Sequence, residues 1–157
     1  MDEGSAAQLQ HAAGRVRHGG QPAVGGVLGS RDDAATKLDG AALFDLVFTF
    51  DAVHDQAQPA TVLSHIRRLL KPGGIYLMQD IDSATALEDN LDRPLAPFIY
   101  TISCMHCMTV SLAQGGQGLG AAWGEQLALA MLKDAGFGDI ATHRLPHDIM
   151  NLYFVCR

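Results

Sequence analysis

The first forty residues contain no Ile, Phe, Tyr or Trp, and their only Met is Met1. A segment this poor in large apolar side chains cannot bury enough surface to offset the entropy of ordering itself. Gly14, Gly19, Gly20, Gly25, Gly26 and Gly29 crowd it further. Gln8 to Arg17 suits a short helix, but Gly19 to Gly29 follows neither the helical nor the strand period. Residues 1–30 are therefore expected to be irregular or loosely ordered. Cysteine is scarce and odd in number: Cys104, Cys107 and Cys156. No apolar signal core follows the charged start, so a disulfide framework is excluded and a cytoplasmic protein with reduced thiols is expected. Basic residues number 11 against 17 acidic ones, for a net charge of −6 and no basic run. That balance speaks against a nucleic-acid partner. No internal repeat is visible, which excludes a solenoid. The longest uncharged run, Pro94 to Gly124, holds a helix over Pro97–Ala113. Thr101, Ser103, His106, Thr109 and Ser111 suit lipid poorly, so this is expected to be a buried or lid helix and no membrane span.

What the chain does have begins near Leu43. Leu43 to Phe50 is rich in Val and Phe and apolar on both faces apart from Asp45 and Thr49, as a strand in a sheet covered on both sides would be. Pro59 fits the first turn of a helix. Val62, Leu63, Ile66, Leu69 and Leu70 form that helix's apolar stripe, with Arg67 and Arg68 outside. Lys71-Pro72-Gly73-Gly74 supplies a cation and then chain breakers at its end. Ile75 to Met78 is the next strand, which completes a βαβ unit. Gln114 to Gly120 is a glycine-rich loop. Gly124 to Ala135 is a second amphipathic helix, which Gly136 caps. Ile140 to Arg144 and Ile149 to Val155 are joined by the short turn Leu145-Pro146-His147-Asp148 and should pair antiparallel.

The strand FDLVFTFDAVHD, the helix end RRLLKPGGIYLMQD, the later helix end MLKDAGF and the terminal NLYFVCR resemble the class I S-adenosylmethionine-dependent methyltransferases. The run TISCMHCMTVSLAQGG with GAAWGE is similar to a bacterial subgroup of that family, whose members commonly carry a winged-helix domain ahead of the methyltransferase domain. The resemblance covers roughly residues 32–157. It implies an α/β fold: the C-terminal half of a Rossmann-like sheet, mostly parallel with an antiparallel strand pair at its end. It also implies a domain division into residues 1–30 and a partial methyltransferase domain over 31–157. In the family a glycine-rich turn after the first strand and an acid ending the second hold the cofactor. The glycines of this chain are expected to follow no strand, and there is no room for three strands before Phe44. The chain thus reads as a C-terminal portion behind an unrelated segment, as a truncated or frame-shifted gene would give.

The resemblance also implies site residues. Asp33 and Ala34 stand where an acidic residue receives the adenine amino group, with Asp32 competing for the register. Asp51, Ala52 and Val53 form the turn that lines the methionine part of the cofactor. His54 is a candidate general base, because its ordinary pKa lies near neutrality. Asp55 either orients it or simply opens the following turn. Asp80 ends the next strand, where it would position a substrate hydroxyl or amine, or reach the cofactor through a water. Tyr100, Cys104 and Cys107 fall on one helical face and are candidates to line an acceptor pocket. Cys104 and Cys107 at i and i+3 offer too few zinc ligands, so core or pocket packing is preferred to a metal or redox centre. Gly116 to Ala121 matches a dinucleotide fingerprint in letters only, since it follows a helix, and is read as a flexible hinge. Trp123 is read as a packing anchor. The expected activity is methyl transfer from S-adenosylmethionine to a small-molecule acceptor. The rival expectation is a non-catalytic remnant that self-associates, as a homodimer, through an exposed Leu43–Phe50 edge.

Overall fold

The computed structural model describes the backbone of residues 24–26 and all of residues 41–157. Asp33, Ala34 and the helix expected over Gln8–Arg17 lie outside the described residues. The elements run β1 (Val24–Gly26), β2 (Phe44–Phe50), α1 (Pro59–Leu69), β3 (Leu70–Ile81), a 3-10 turn (Leu87–Asn90), α2 (Ala96–Ile102), a π-helical turn (Ser103–Cys107), α3 (Met108–Ala113), α4 (Glu125–Asp134), β4 (Ile140–His143) and β5 (Asn151–Cys156). The five strands lie in the order β1-β2-β3-β5-β4. β1, β2 and β3 are parallel to one another, while β5 runs antiparallel to both β3 and β4. This is the expected α/β fold with a C-terminal antiparallel pair.

β1 corrects two expectations. Val24–Gly26 lies within the stretch expected to be irregular, yet it pairs with Leu46–Phe48 of β2. Val-Gly-Gly carries no period of its own, so pairing with an apolar neighbour decides its conformation. Glycines therefore do sit on a strand, and β2 is not an open edge over Leu46–Phe48. The turn Lys71–Gly74 is a second departure. Leu70 already pairs with Phe44, the next four residues bulge, and Ile75 resumes the ladder against Leu46. Gly73 takes φ +77 in that bulge, a conformation glycine adopts at little steric cost.

One face of the sheet is tightly filled. Val47 and Thr49, Tyr76, Met78 and Asp80, and Leu152, Phe154 and Cys156 alternate onto it and are all buried. They pack with Leu63, Ile66 and Leu69 of α1 and with Ala128 and Leu132 of α4. Phe137 folds back beneath the end of α4, 5.5 Å from the Tyr76 ring. The Tyr76 hydroxyl pairs with Thr49 Oγ1 at 2.7 Å, so neither buried oxygen is left without a partner. On the other face Leu46, Phe48, Ile75 and Leu77 are only half-buried.

A smaller cluster of Ile81, Ile99, Cys107 and Ala121 seats the helix Ala96–Ala113 beside the carboxyl end of β3. By length and composition alone this helix could cross a membrane. Of the two expectations for it, buried or lid helix, burial does not hold: most of it is exposed, including Phe98, Met105 and Leu112. Its inward stripe is Ala96, Ile99, Ser103, Cys107 and Ser111. Three successive steps of four residues drift off a 3.6-residue helix, and the π-helical turn absorbs the drift. This is why Tyr100, Cys104 and Cys107 do not share a face: Cys107 is buried and Cys104 is exposed.

Candidate functional site

Ligands of parallel α/β sheets bind beyond the carboxyl ends of the strands. Here that edge is made by Phe50 at the end of β2 and Asp51 after it, and by Gln79 to Ile81 at the end of β3 with Asp82 beyond. Asp51 N donates to Gln79 O at 2.9 Å, so the ladder extends one residue past β2. Asp51 then turns with φ +48, which is uncommon for a side chain with a Cβ and carries strain. The turn sends the next residues, Ala52 to Ala57, into the protein and leaves the Asp51 carboxylate outside, 55% exposed. Phe50 stands beside it, 44% exposed and 5.4 Å from the Phe48 ring.

Behind Asp51 lies a buried polar core. His54 is 1% exposed, and its Nδ1 donates to Asp80 Oδ1 at 2.7 Å. The same oxygen accepts from Ile81 N at 2.8 Å and from Trp123 Nε1 at 3.1 Å. One carboxylate thus ties together the β2 turn, the end of β3 and the entry to α4. Asp80 Oδ2 is buried and accepts no hydrogen bond among the described residues, as are Asp55 Oδ1 and Ser83 Oγ. On its other side His54 Nε2 lies 3.3 Å from Asp55 Oδ1 and 3.9 Å from Asp51 Oδ1. Burial alone would lower the His54 pKa. Asp80, the Cys107 thiol and Asp55 outweigh it and push the imidazole up to about 11. The surrounding carboxylates thus favour the protonated imidazole, and His54 Nδ1 is taken up by Asp80.

The loop after α3 is a strap. Gln117 N donates to Ala57 O at 3.0 Å, and Gly116 N to Ser111 O at 2.9 Å. Ser111 Oγ donates to Gln56 O at 2.9 Å and accepts from Gly118 N at 3.1 Å. A Cβ on Gly116 would collide with the Ala57 Cα and the Ser111 side chain. These ties replace the flexible hinge expected there. Glu125 N continues the attachment by donating to Ser83 O at 2.8 Å.

The sequence-derived candidates separate into two groups. Asp51, Ala52, Val53, His54 and Asp80 meet at one strand edge. Ala52 and Val53 are buried there, behind the exposed Asp51. Tyr100 is half-buried and its hydroxyl accepts from Asn90 Nδ2 at 3.1 Å, while exposed Cys104 points elsewhere than Cys107. Cys107, expected to line a pocket, lies against His54 and Asp55. Sequence reasoning missed Phe50, which stands exposed at the ligand edge, and the second role of Trp123, which donates to Asp80 as well as packing. The latter had a signal, since a buried indole N–H needs an acceptor.

The model of a family described as a methyltransferase domain matches residues 24–136. No curated protein sequence matches the chain. Among solved structures, the chain is similar to an O-methyltransferase family protein from Burkholderia thailandensis, with TM-score 0.56, 18% identity, and 78% of this chain and 32% of that one covered. It is also similar to the trans-methyltransferase CalH in complex with SAH, with TM-score 0.55, 21% identity, and 82% and 33% covered. The citrinin polyketide synthase CMeT domain matches with TM-score 0.54, 14% identity, and 78% and 30% covered. At these identities the likeness is one of fold. The chain spans about a third of the length of these structures.

Proposed function

Because this chain belongs to the methyltransferase-domain family, we propose that it serves S-adenosylmethionine-dependent methyl transfer to a small-molecule acceptor. The observation that carries the reading is Asp51: a strained residue at the carboxyl end of a parallel strand, its carboxylate exposed and its turn anchored from behind by the buried His54–Asp80 pair. Strain at a ligand-bearing edge persists only where the surroundings over-determine it. The residues present suit the cofactor. Asp51 offers an anion to its ammonium or sulfonium charge and Phe50 an exposed ring, while buried Ala52 and Val53 support the turn from behind. Bound S-adenosylmethionine supplies an electrophilic methyl on a sulfonium, so alignment and dryness do most of the protein's work.

In this reading Asp51 and Phe50 touch the ligand. His54, Asp80 and Trp123 are positioning residues that hold the Asp51 turn against β3. The helix Ala96–Ala113 and the strap through Gly116 pack beside the same edge and cover the residues behind Asp51. An acceptor would bring its own nucleophile, since methyl transfer asks for alignment more than for acid–base help. SAH carried by CalH is the form the cofactor takes after giving up its methyl, and the same molecule serves as the probe here. Calorimetric titration of the chain with S-adenosylhomocysteine tests the proposal. Saturable one-to-one binding that weakens at least tenfold in Asp51→Ala is expected. No binding, or binding indifferent to Asp51, overturns it.

A further inference from the structure

His54, Asp55 and Cys107 come from the β2 turn and from the π-helical turn, and the fold brings their ligand atoms within 4.8 Å of one another, all three residues buried. We propose that His54 Nε2, Asp55 Oδ1 and Cys107 Sγ form a zinc site, with a water or substrate atom in the fourth position. Four observations support it. Asp55 Oδ1 is buried, accepts no hydrogen bond among the described residues, and lies 3.3 Å from Nε2. Ligands held about 2.0–2.1 Å from a tetrahedral zinc lie about 3.3–3.4 Å apart along an N···O edge. His54 Nδ1 is already occupied by Asp80 Oδ1 at 2.7 Å, the carboxylate–histidine arrangement that fixes the tautomer and aims Nε2 at a metal. A set of one thiolate, one imidazole and one carboxylate suits zinc and does not suit magnesium or calcium, which take oxygen ligands.

Uptake changes no oxidation state. The ion displaces the Cys107 thiol proton and the proton on Nε2, and two protons leave for solvent. The carboxylates that favour a proton on His54 favour a doubly charged cation at the same place. Asp51 Oδ1, 3.9 Å from Nε2 and exposed, marks the side open to water. The site would pin the underwound turn of the lid helix to the β2 turn. Scarcity of cysteine argued against zinc in the sequence because Cys104 was counted as the partner of Cys107. In the fold the partners are His54 and Asp55. The inference does not depend on methyl transfer, and its readout does not involve the cofactor.

The full chain is stripped with a chelator and titrated with Zn²⁺, with Co²⁺ as a spectroscopic probe. One zinc per chain and a thiolate-to-cobalt charge-transfer band are expected. The band should vanish in Cys107→Ser and persist in Cys104→Ser and Cys156→Ser. Asp80→Asn should weaken zinc binding roughly 10–100-fold, as loss of a partner behind a ligand does. If Cys107→Ser fails to fold, Asp55→Asn decides, since it keeps the thiolate band but should bind zinc at least tenfold more weakly. No stoichiometric zinc, a cobalt spectrum without the band, a band that survives Cys107→Ser, or Asp55→Asn binding at full strength would each overturn the assignment.

Discussion

At the scale of single residues, the account turns on Asp80. Its Oδ1 takes hydrogen bonds from His54, Trp123 and its own strand's next amide, and Oδ2 takes none among the described residues. A hydrogen bond to a buried charge contributes about 1.5–3 kcal/mol. Trp123→Phe keeps most of the packing and removes one of them, so denaturant unfolding should show a loss of about 1.5–3 kcal/mol. An unchanged midpoint would show that the indole only packs. Asp82 makes a prediction about pH. Burial would raise its pKa, but hydrogen bonds from Arg144 and Arg93 outweigh that and hold the carboxyl below its ordinary 3.8. A depressed carboxylate adds stability that is complete above the ordinary value and is lost as pH falls through the folded value. The stability gap between the natural protein and Asp82→Asn should therefore be flat from neutral pH to about 4 and narrow below that. Arg144 and Arg93 are partly exposed, so the gap should also shrink with salt.

At the scale of elements, apolar period and punctuation made much of the fold legible. α1 starts at Pro59 and buries Val62, Leu63, Ile66 and Leu69, whereas Leu70, expected in the same stripe, already begins β3. β4 and β5 pair antiparallel across their short turn. What could not be read were features that exist only through contact. β1 has no period and is a strand because β2 lies beside it. The lid helix carries a π-helical turn because its buried Ser103, Cys107 and Ser111 recur every four residues. Reading it as a regular helix put Tyr100, Cys104 and Cys107 on one face and left Ser103 and Ser111 out. The glycine loop suggested freedom, yet Gly116 is glycine because Ala57 approaches it too closely for a Cβ. Gly116→Ala should cost about 1–3 kcal/mol through overpacking. It should speed amide exchange at Gln117 and Gly118 while leaving the β3–β5 ladder protected, and equal effects at both places would refute the strap.

At the scale of the whole molecule, the candidate site was legible in outline. A parallel βαβ unit concentrates polar residues at one edge, and Asp51, His54 and Asp80 do converge there. Their division of labour was not legible, because the roles depend on burial. Asp51 faces out and is free to meet a ligand, whereas His54 and Asp80 are sealed behind it. The central claim is that the carboxyl edge of β2, next to β3, is where this chain meets S-adenosylmethionine. Ultraviolet cross-linking of methyl-labelled S-adenosylmethionine to the full chain, followed by peptide mapping, tests it most directly. The label should fall within the peptide containing Phe50 to Ala57 and be displaced by excess S-adenosylhomocysteine. Displaceable label confined to the Ala96–Ala113 helix or to β4 and β5, with none at Phe50 to Ala57, would contradict it.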